Sequence, residues 1–230
     1  MPCILSIETS TNVCSVAVAI DGKNIFEKEN IDGPSHATLL GVFVQEAVDY
    51  IQENGMALDA VAVSCGPGSY TGLRIGVSEA KGLCYGLNIP LIALNTLKIM
   101  ASKVSKNATI DNESLLCPMI DARRMEVYAA IYDLNLNIVR DIQADIVDEN
   151  TYASFLQASK ITFFGNGSAK CKDAIKHPNA VFLENIYPTA SDMSSLAITA
   201  FENKTFEDVA YFEPFYLKEF IATTPKNKIL

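Results

Sequence analysis

Three short strand-like runs open the chain, and a helical pattern replaces them after about thirty residues. Cys3 to Glu8, Cys14 to Ile20 and Asn24 to Asn30 read as strands, the last two joined at Asp21-Gly22, a two-residue hairpin signal. Ser35, following Gly33-Pro34, marks a helix start, and Asn54-Gly55 marks its stop. Across this helix Leu39, Leu40, Phe43, Val44, Ala47, Val48, Tyr50 and Ile51 cover about half the circumference, wider than the ~100° stripe of a one-sided surface helix. The excess has two readings: the helix is wedged between its own sheet and a neighbouring helix, or the two helices present a joint face to another subunit.

A buried strand, Ala60 to Cys65, leads into Gly66-Pro67-Gly68-Ser69-Tyr70-Thr71-Gly72-Leu73-Arg74-Ile75-Gly76, a run that fixes a tight strand-to-helix turn with a hydroxyl between Ser69 and Thr71 available as N-cap. It is no P-loop, because Leu73 and Arg74 follow Gly72 where Lys-Ser/Thr is required. Nor is it a dinucleotide fingerprint, because three residues separate Gly68 and Gly72. The loop is a purely structural connection or a ligand-facing one. Beyond it Gly72, Gly76, Gly82 and Gly86 interrupt a helical pattern, each interior glycine costing roughly 1 kcal/mol against alanine. Glycines four apart share a face and admit a second backbone, either of this chain or of a partner.

A strand at Leu91 to Asn95 and a helix from Thr96 to about Lys106 complete a β-β-β-α-β-α-β-α unit. The aperiodic polar stretch Ser105 to Glu113 divides the chain into an N-terminal domain, residues 1–104, and a C-terminal domain, residues 105–230. The second domain is expected to hold strands at Leu115 to Ile120, Glu126 to Tyr132, Ile138 to Val147 and Ile161 to Phe164. Helices are expected at Thr151 to Gln157, Ser168 to Lys176 and Ser191 to Glu202, the last able to return to the first domain, and the residues after Leu217 carry no core signal.

With 230 residues, 49% of them hydrophobic, the chain has material for packed cores, no apolar run of about 20 residues and no basic start before an apolar run. The expectation is a cytoplasmic protein without a membrane span. Six scattered cysteines without a C-x-x-C pair read as buried free thiols. A net charge of −9 argues against unaided RNA binding, and Arg123-Arg124 is too small a basic patch to reverse that.

The glycine loop, the opening Ile4-Leu5-Ser6-Ile7-Glu8-Thr9-Ser10-Thr11 with Cys14 to Val18, and Asp121-Ala122-Arg123-Arg124 with Glu126-Val127-Tyr128 together resemble the TsaB (YeaZ) family. The likeness is strong to about Tyr128 and weaker as far as Pro214 to Lys218. It implies an actin-like (ASKHA) two-domain α/β fold, each half a mixed sheet with flanking helices. It implies a non-catalytic partner of the paralogous enzyme TsaD, in a complex that forms N6-threonylcarbamoyladenosine beside the anticodon of tRNAs reading codons that begin with A. TsaE is the further partner implied, with tRNA bound only within the complex and a homodimer through the same face. In that family the wide helix and its successor pack on the matching pair of TsaD, which nominates Leu39, Phe43, Tyr50, Gly72, Gly76 and Leu83 as interface residues.

The same likeness bears on chemistry. TsaD carries two metal-binding histidines four apart, where this chain has Thr96 and Met100, so no metal and no catalytic residue is expected here. Glu8, Thr9, Ser10 and Thr11 stand where actin-like kinases hold phosphate and magnesium, with glutamate in place of the usual aspartate. A small-molecule kinase or ATPase acting alone is the alternative function. No intrinsic cofactor is expected, ATP or ADP at the junction with TsaD being the one candidate. Ser35 and His36, adjacent at a helix entry, read as an N-cap and a surface residue rather than a nucleophile and its base.

Overall fold

The computed structural model describes residues 1–33, 35–107 and 110–217. The residues after Leu217, including Lys218, lie outside them. Strands β1 (Cys3–Glu8), β2 (Cys14–Ile20) and β3 (Lys23–Asn30) form an antiparallel meander, with Asp21 and Gly22 both at positive φ in the tight turn. Helix α1 (His36–Glu53) then crosses to β4 (Ala60–Gly66), helix α2 (Tyr70–Leu87) to β5 (Leu91–Asn95), and helix α3 (Thr96–Ser105) leaves the sheet. Both β4 and β5 are parallel to β1, so the first sheet runs β3-β2-β1-β4-β5.

The second half repeats that order. Strands β6 (Leu115–Asp121), β7 (Glu126–Tyr132) and β8 (Ile138–Ile146) form the meander, helix α4 (Ala153–Ala158) follows, and β9 (Ile161–Phe164) and β10 (Ala180–Phe182) lie parallel to β6. The sheet therefore runs β8-β7-β6-β9-β10, position for position the plan of the first. Two expectations fail in this half. Ser168 to Lys176 is not an α-helix but a short 3-10 turn, Ala169–Cys171, flanked by further turns, and β10 had no reading in the sequence at all. The turn is held by Lys170, whose ammonium bonds Asp121 and, at 2.6 Å, the Glu126 carbonyl, pulling the segment onto the β6–β7 hairpin.

Side-chain alternation assigns the cores. The odd-numbered residues of β1, Cys3, Leu5 and Ile7, face α1 and α2, while Ile4 with Ala60, Ala62, Ile92 and Leu94 faces the opposite side. That opposite side is closed from far along the chain, by Ala190 and Met193 of a 3-10 turn and Ala197 of helix α5 (Ser194–Glu202). The turn carries a reciprocal Thr189–Asp192 cap, and Lys103 of α3 bonds Asp192 at 2.9 Å. In the second sheet Phe163 stacks on Phe182 at 5.1 Å and meets Tyr152, just before α4, edge-on at 5.3 Å. Among the described residues no helix is long and apolar enough to cross a membrane.

Candidate functional site

The glycine loop packs on its own chain. A Cβ at Gly72 would overlap the Thr9 carbonyl oxygen, one at Gly76 would overlap the Thr9 hydroxyl, and one at Gly68 would strike the Ser10 backbone. The Thr9 hydroxyl donates to the Gly72 carbonyl at 2.8 Å, and Ser69 N–H donates to the Ser10 carbonyl at 2.6 Å. The close approach foreseen at Gly72 and Gly76 is thus intramolecular, by the Thr9 backbone at Gly72 and the Thr9 side chain at Gly76: both glycines are buried against the β1–β2 hairpin and present nothing to a partner. Ser69 caps α2 as expected, its side chain accepting from Gly72 N–H at 3.2 Å.

His36 completes the seal. Its Nε2 lies 2.7 Å from the Thr11 carbonyl and the residue is buried, so it is a core tie rather than the surface residue expected. Ser35 occupies the N-cap position without a side-chain capping bond. Glu8, Thr9 and Ser10 are at no more than 1% exposure and Thr11 is at 6%. The candidate phosphate hairpin is brought together but buried: Thr9 lies beneath α2, whereas Glu8 shares the parity of Ile4 and faces the opposite side of the sheet, near Ser64 and Asp192. Glu8 Oε1 accepts from Ser10 N–H at 2.6 Å, and the other oxygen has no hydrogen-bond partner among the described residues. Burial pushes its carboxyl up to about 7, against the smaller opposing pull of the Ser10 N–H and the neighbouring Ser10 and Ser64 hydroxyls.

Thr96 and Met100 sit at the entry of α3 as fully buried residues, Met100 with its methyl against Gly165. Among the described residues no group of three or more His, Cys, Asp or Glu side chains is arranged to hold a metal. Between the two sheets lies a cleft of about 570 Å³. Ser10 to Asn12 and Pro67 to Thr71 line one wall, Asp121 to Arg123 and Asn166 the other, and Phe215 to Leu217 lie across it.

The outer surface of α1 and α2 is the second candidate site. Of the nominated residues, Leu39, Phe43 and Leu83 are half-buried against the first core, and Tyr50 lies 5.2 Å from Phe26 of β3. What the helices leave uncovered are Gly41, Gly82 and Gly86, around which a Cβ would meet nothing within 4 Å, with Val42, Tyr85 and Leu87 exposed. Tyr85 is 85% exposed. Ser78, Gly82 and Gly86 line one face at a spacing of four, in a groove shared with Val48, Leu83 and Leu87. Nearer the start of α2, Ala37, Tyr70, Thr71, Arg74 and Glu79 border a larger depression of about 630 Å³. Sequence reasoning missed Tyr85, Leu87 and Val42, although they stand outside the core stripe of their helices and that was the signal to follow.

The model of the family described as TsaD, tRNA N6-adenosine threonylcarbamoyltransferase, matches residues 31–227. Over 225 residues the chain is 29% identical to the tRNA threonylcarbamoyladenosine biosynthesis protein TsaB of Escherichia coli, covering 95% of this chain and 96% of that one. Another TsaB, from Bacillus subtilis, is 28% identical over 75% of each chain. The chain belongs to the TsaB (YeaZ) branch of the TsaD family. The solved structure of YeaZ from Pseudomonas aeruginosa superposes with a TM-score of 0.79 at 27% identity, over 94% of this chain and all of that one. The two repeated mixed sheets with flanking helices are accordingly the actin-like two-domain α/β fold that the family resemblance implied.

Proposed function

We propose that the chain acts in tRNA threonylcarbamoyladenosine biosynthesis as a non-catalytic subunit, docking on TsaD through the outer face of α1 and α2. The observation that carries this reading is the uncovered stripe Ser78, Gly82 and Gly86 beside exposed Tyr85, Leu87 and Val42. Interior helical glycines with open space gain nothing for the isolated fold and cost roughly 1 kcal/mol each, a cost that close approach of a partner helix offsets. Its product would be the modified adenosine beside the anticodon of tRNAs reading codons that begin with A. TsaE would be a further partner, with tRNA held by the assembled complex, ATP or ADP confined to the junction with TsaD, and a homodimer using the same face. The setting would be the cytoplasm.

The alternative, an actin-like kinase or ATPase acting alone, needs Glu8 and Thr9 open to phosphate and metal. Their burial, Thr9 beneath α2 with its hydroxyl committed to Gly72 and Glu8 on the opposite side of the sheet, speaks against it. Reconstitution from purified chain, TsaD, TsaE, substrate tRNA, ATP and threonylcarbamoyl-AMP, with each component omitted in turn, tests the role. Modification by this chain without TsaD would overturn it. Gly82→Leu tests the face: TsaD affinity should fall at least tenfold while the melting temperature of the isolated chain holds or rises, and normal affinity would mean that docking occurs elsewhere.

A further inference from the structure

Beyond α5 the chain doubles back as a strap. Glu207 N–H donates to the Leu91 carbonyl at 2.9 Å on the outer edge of β5, and Lys81 of α2 bonds the carbonyls of Ala210 and Phe212 at 3.2 and 2.9 Å. Val209 and Phe212 pack against the first core. Phe215 N–H then donates to the Cys65 carbonyl at 2.7 Å, and its own carbonyl oxygen occupies the space a side chain at residue 66 would need. Glycine at 66, with φ of +112°, is what lets the strap reach the mouth of the cleft. The last contact is made by side chains: the Tyr216 hydroxyl accepts from Arg74 Nε at 3.2 Å, its ring lies 5.1 Å from Tyr70, and the Arg74 guanidinium stacks 4.2 Å over Tyr70.

Tyr70 and Arg74 also border the depression on the α1–α2 face, so the pair of side chains that meets Tyr216 of the strap is part of that face. We propose that the strap is a working part of the docking surface: Tyr216 is a positioning residue that holds Arg74 and Tyr70 ready for the partner, so strap seating and docking favour one another. The proposal rests on the docking reading given above. An exposed arginine sweeps many rotamers, whereas one stacked on a ring and bonded through Nε has already surrendered that freedom before the partner arrives. Among the described residues Arg74 bonds through Nε, which leaves its two terminal amino groups for an acceptor of matching chemistry, a carboxylate or the carbonyl end of a helix on the partner. By reciprocity, the partner must tighten the strap by the factor with which the strap tightens the partner.

Two measurements test this. In the isolated chain, Arg74→Ala should speed hydrogen exchange of the Phe215 amide about fivefold or more and leave the amides of α5 unchanged. With TsaD, Tyr216→Ala should weaken binding about tenfold, and Tyr216→Phe, which keeps the ring and loses the hydroxyl, about threefold. The double variant with Arg74→Ala should be little worse than the weaker single one, and TsaD should slow Phe215 exchange in the wild type. Multiplying effects in the double variant, or a Phe215 amide indifferent to Arg74, would overturn the proposal. If Gly82→Leu is defective and Tyr216→Ala binds normally, only this inference falls. If both bind normally, the docking face itself is misplaced and the inference falls with it.

Discussion

The two halves share one strand order and treat the same hairpin in opposite ways. In the first, the β1–β2 hairpin is roofed by the eighteen-residue helix α2 and the loop before it, Gly68 of the loop and Gly72 and Gly76 of the helix settling directly on Thr9 and Ser10. In the second, only the 3-10 turn Ala169–Cys171 stands where α2 would be. Gly165 and Gly167 settle on the C-terminal end of β6, and Asp121, Arg123, Arg124 and Met125 stay in solvent. Each half also buries one carboxylate. Asp145 of β8 has a bidentate partner in Arg140, at 3.2 and 2.5 Å, and accepts from the Tyr152 hydroxyl at 2.6 Å. Glu8 of β1 has backbone and hydroxyl neighbours but no cation bonded to it among the described residues. Repetition of topology therefore fixes where a hairpin lies, whereas helix length and glycine spacing decide whether it is machinery or packing.

The contrast is broken most severely at Gly72. Gly72→Ala drives a methyl into the Thr9 carbonyl, and overpacking of this kind against backbone costs about 3 kcal/mol or more, lowering the melting temperature by roughly 6–12 °C. A calorimetric scan showing wild-type stability would mean that the roof is not closed. Asp145→Ala should cost a similar ~3 kcal/mol, because the Arg140 charge is left buried and unpaired, and urea titration measures it. Glu8→Gln should do the reverse.

Because the folded-state value of Glu8 is raised, from 4.5 to about 7, the folded chain holds the proton more tightly than the unfolded one. That contribution is complete below pH 4.5 and is lost as pH rises through 7, when a charge must be borne in the core. Glu8→Gln should accordingly be more stable than wild type at pH 8 by up to about 3 kcal/mol, the gain vanishing near pH 4.5. Melting curves that run parallel across this range would rule out a neutral buried Glu8. The smallest effect belongs to the open hairpin. Arg123 and Arg124 turn at φ of +70° and +49°, and Arg124→Gly relieves the left-handed strain, raising stability by about 1 kcal/mol. A drop in melting temperature would show that the arginine side chain is held after all.

The first half was legible because β1, β2 and β4 are short, near-continuously buried runs and their stops are strong. Cys3–Glu8, Cys14–Ile20 and Leu91–Asn95 end where the pattern says they end. In the second half β10 has three residues, all half-buried, too few to show a period. The reading of Ser168 to Lys176 as a helix failed because long-range bonds from Lys170 outweigh a local apolar repeat. At the candidate site, the glycine spacing announced a close backbone approach but not whose backbone. Gly72 and Gly76 differ from Gly82 and Gly86 only in what folds over them. Contact between Arg74 and Tyr216 spans 142 positions and leaves no local trace in the pattern.

The return of Ala190, Met193 and Ala197 to the first sheet sets an order on biosynthesis. A nascent chain ending near residue 106 has β1 to β5 in hand, yet the side of the sheet bearing Ile4, Ala60, Ala62, Ile92 and Leu94 lacks those covering residues until α5 leaves the ribosome. At about 5–20 residues per second that interval lasts seconds, long enough for an apolar sheet face to recruit a chaperone or a neighbouring chain.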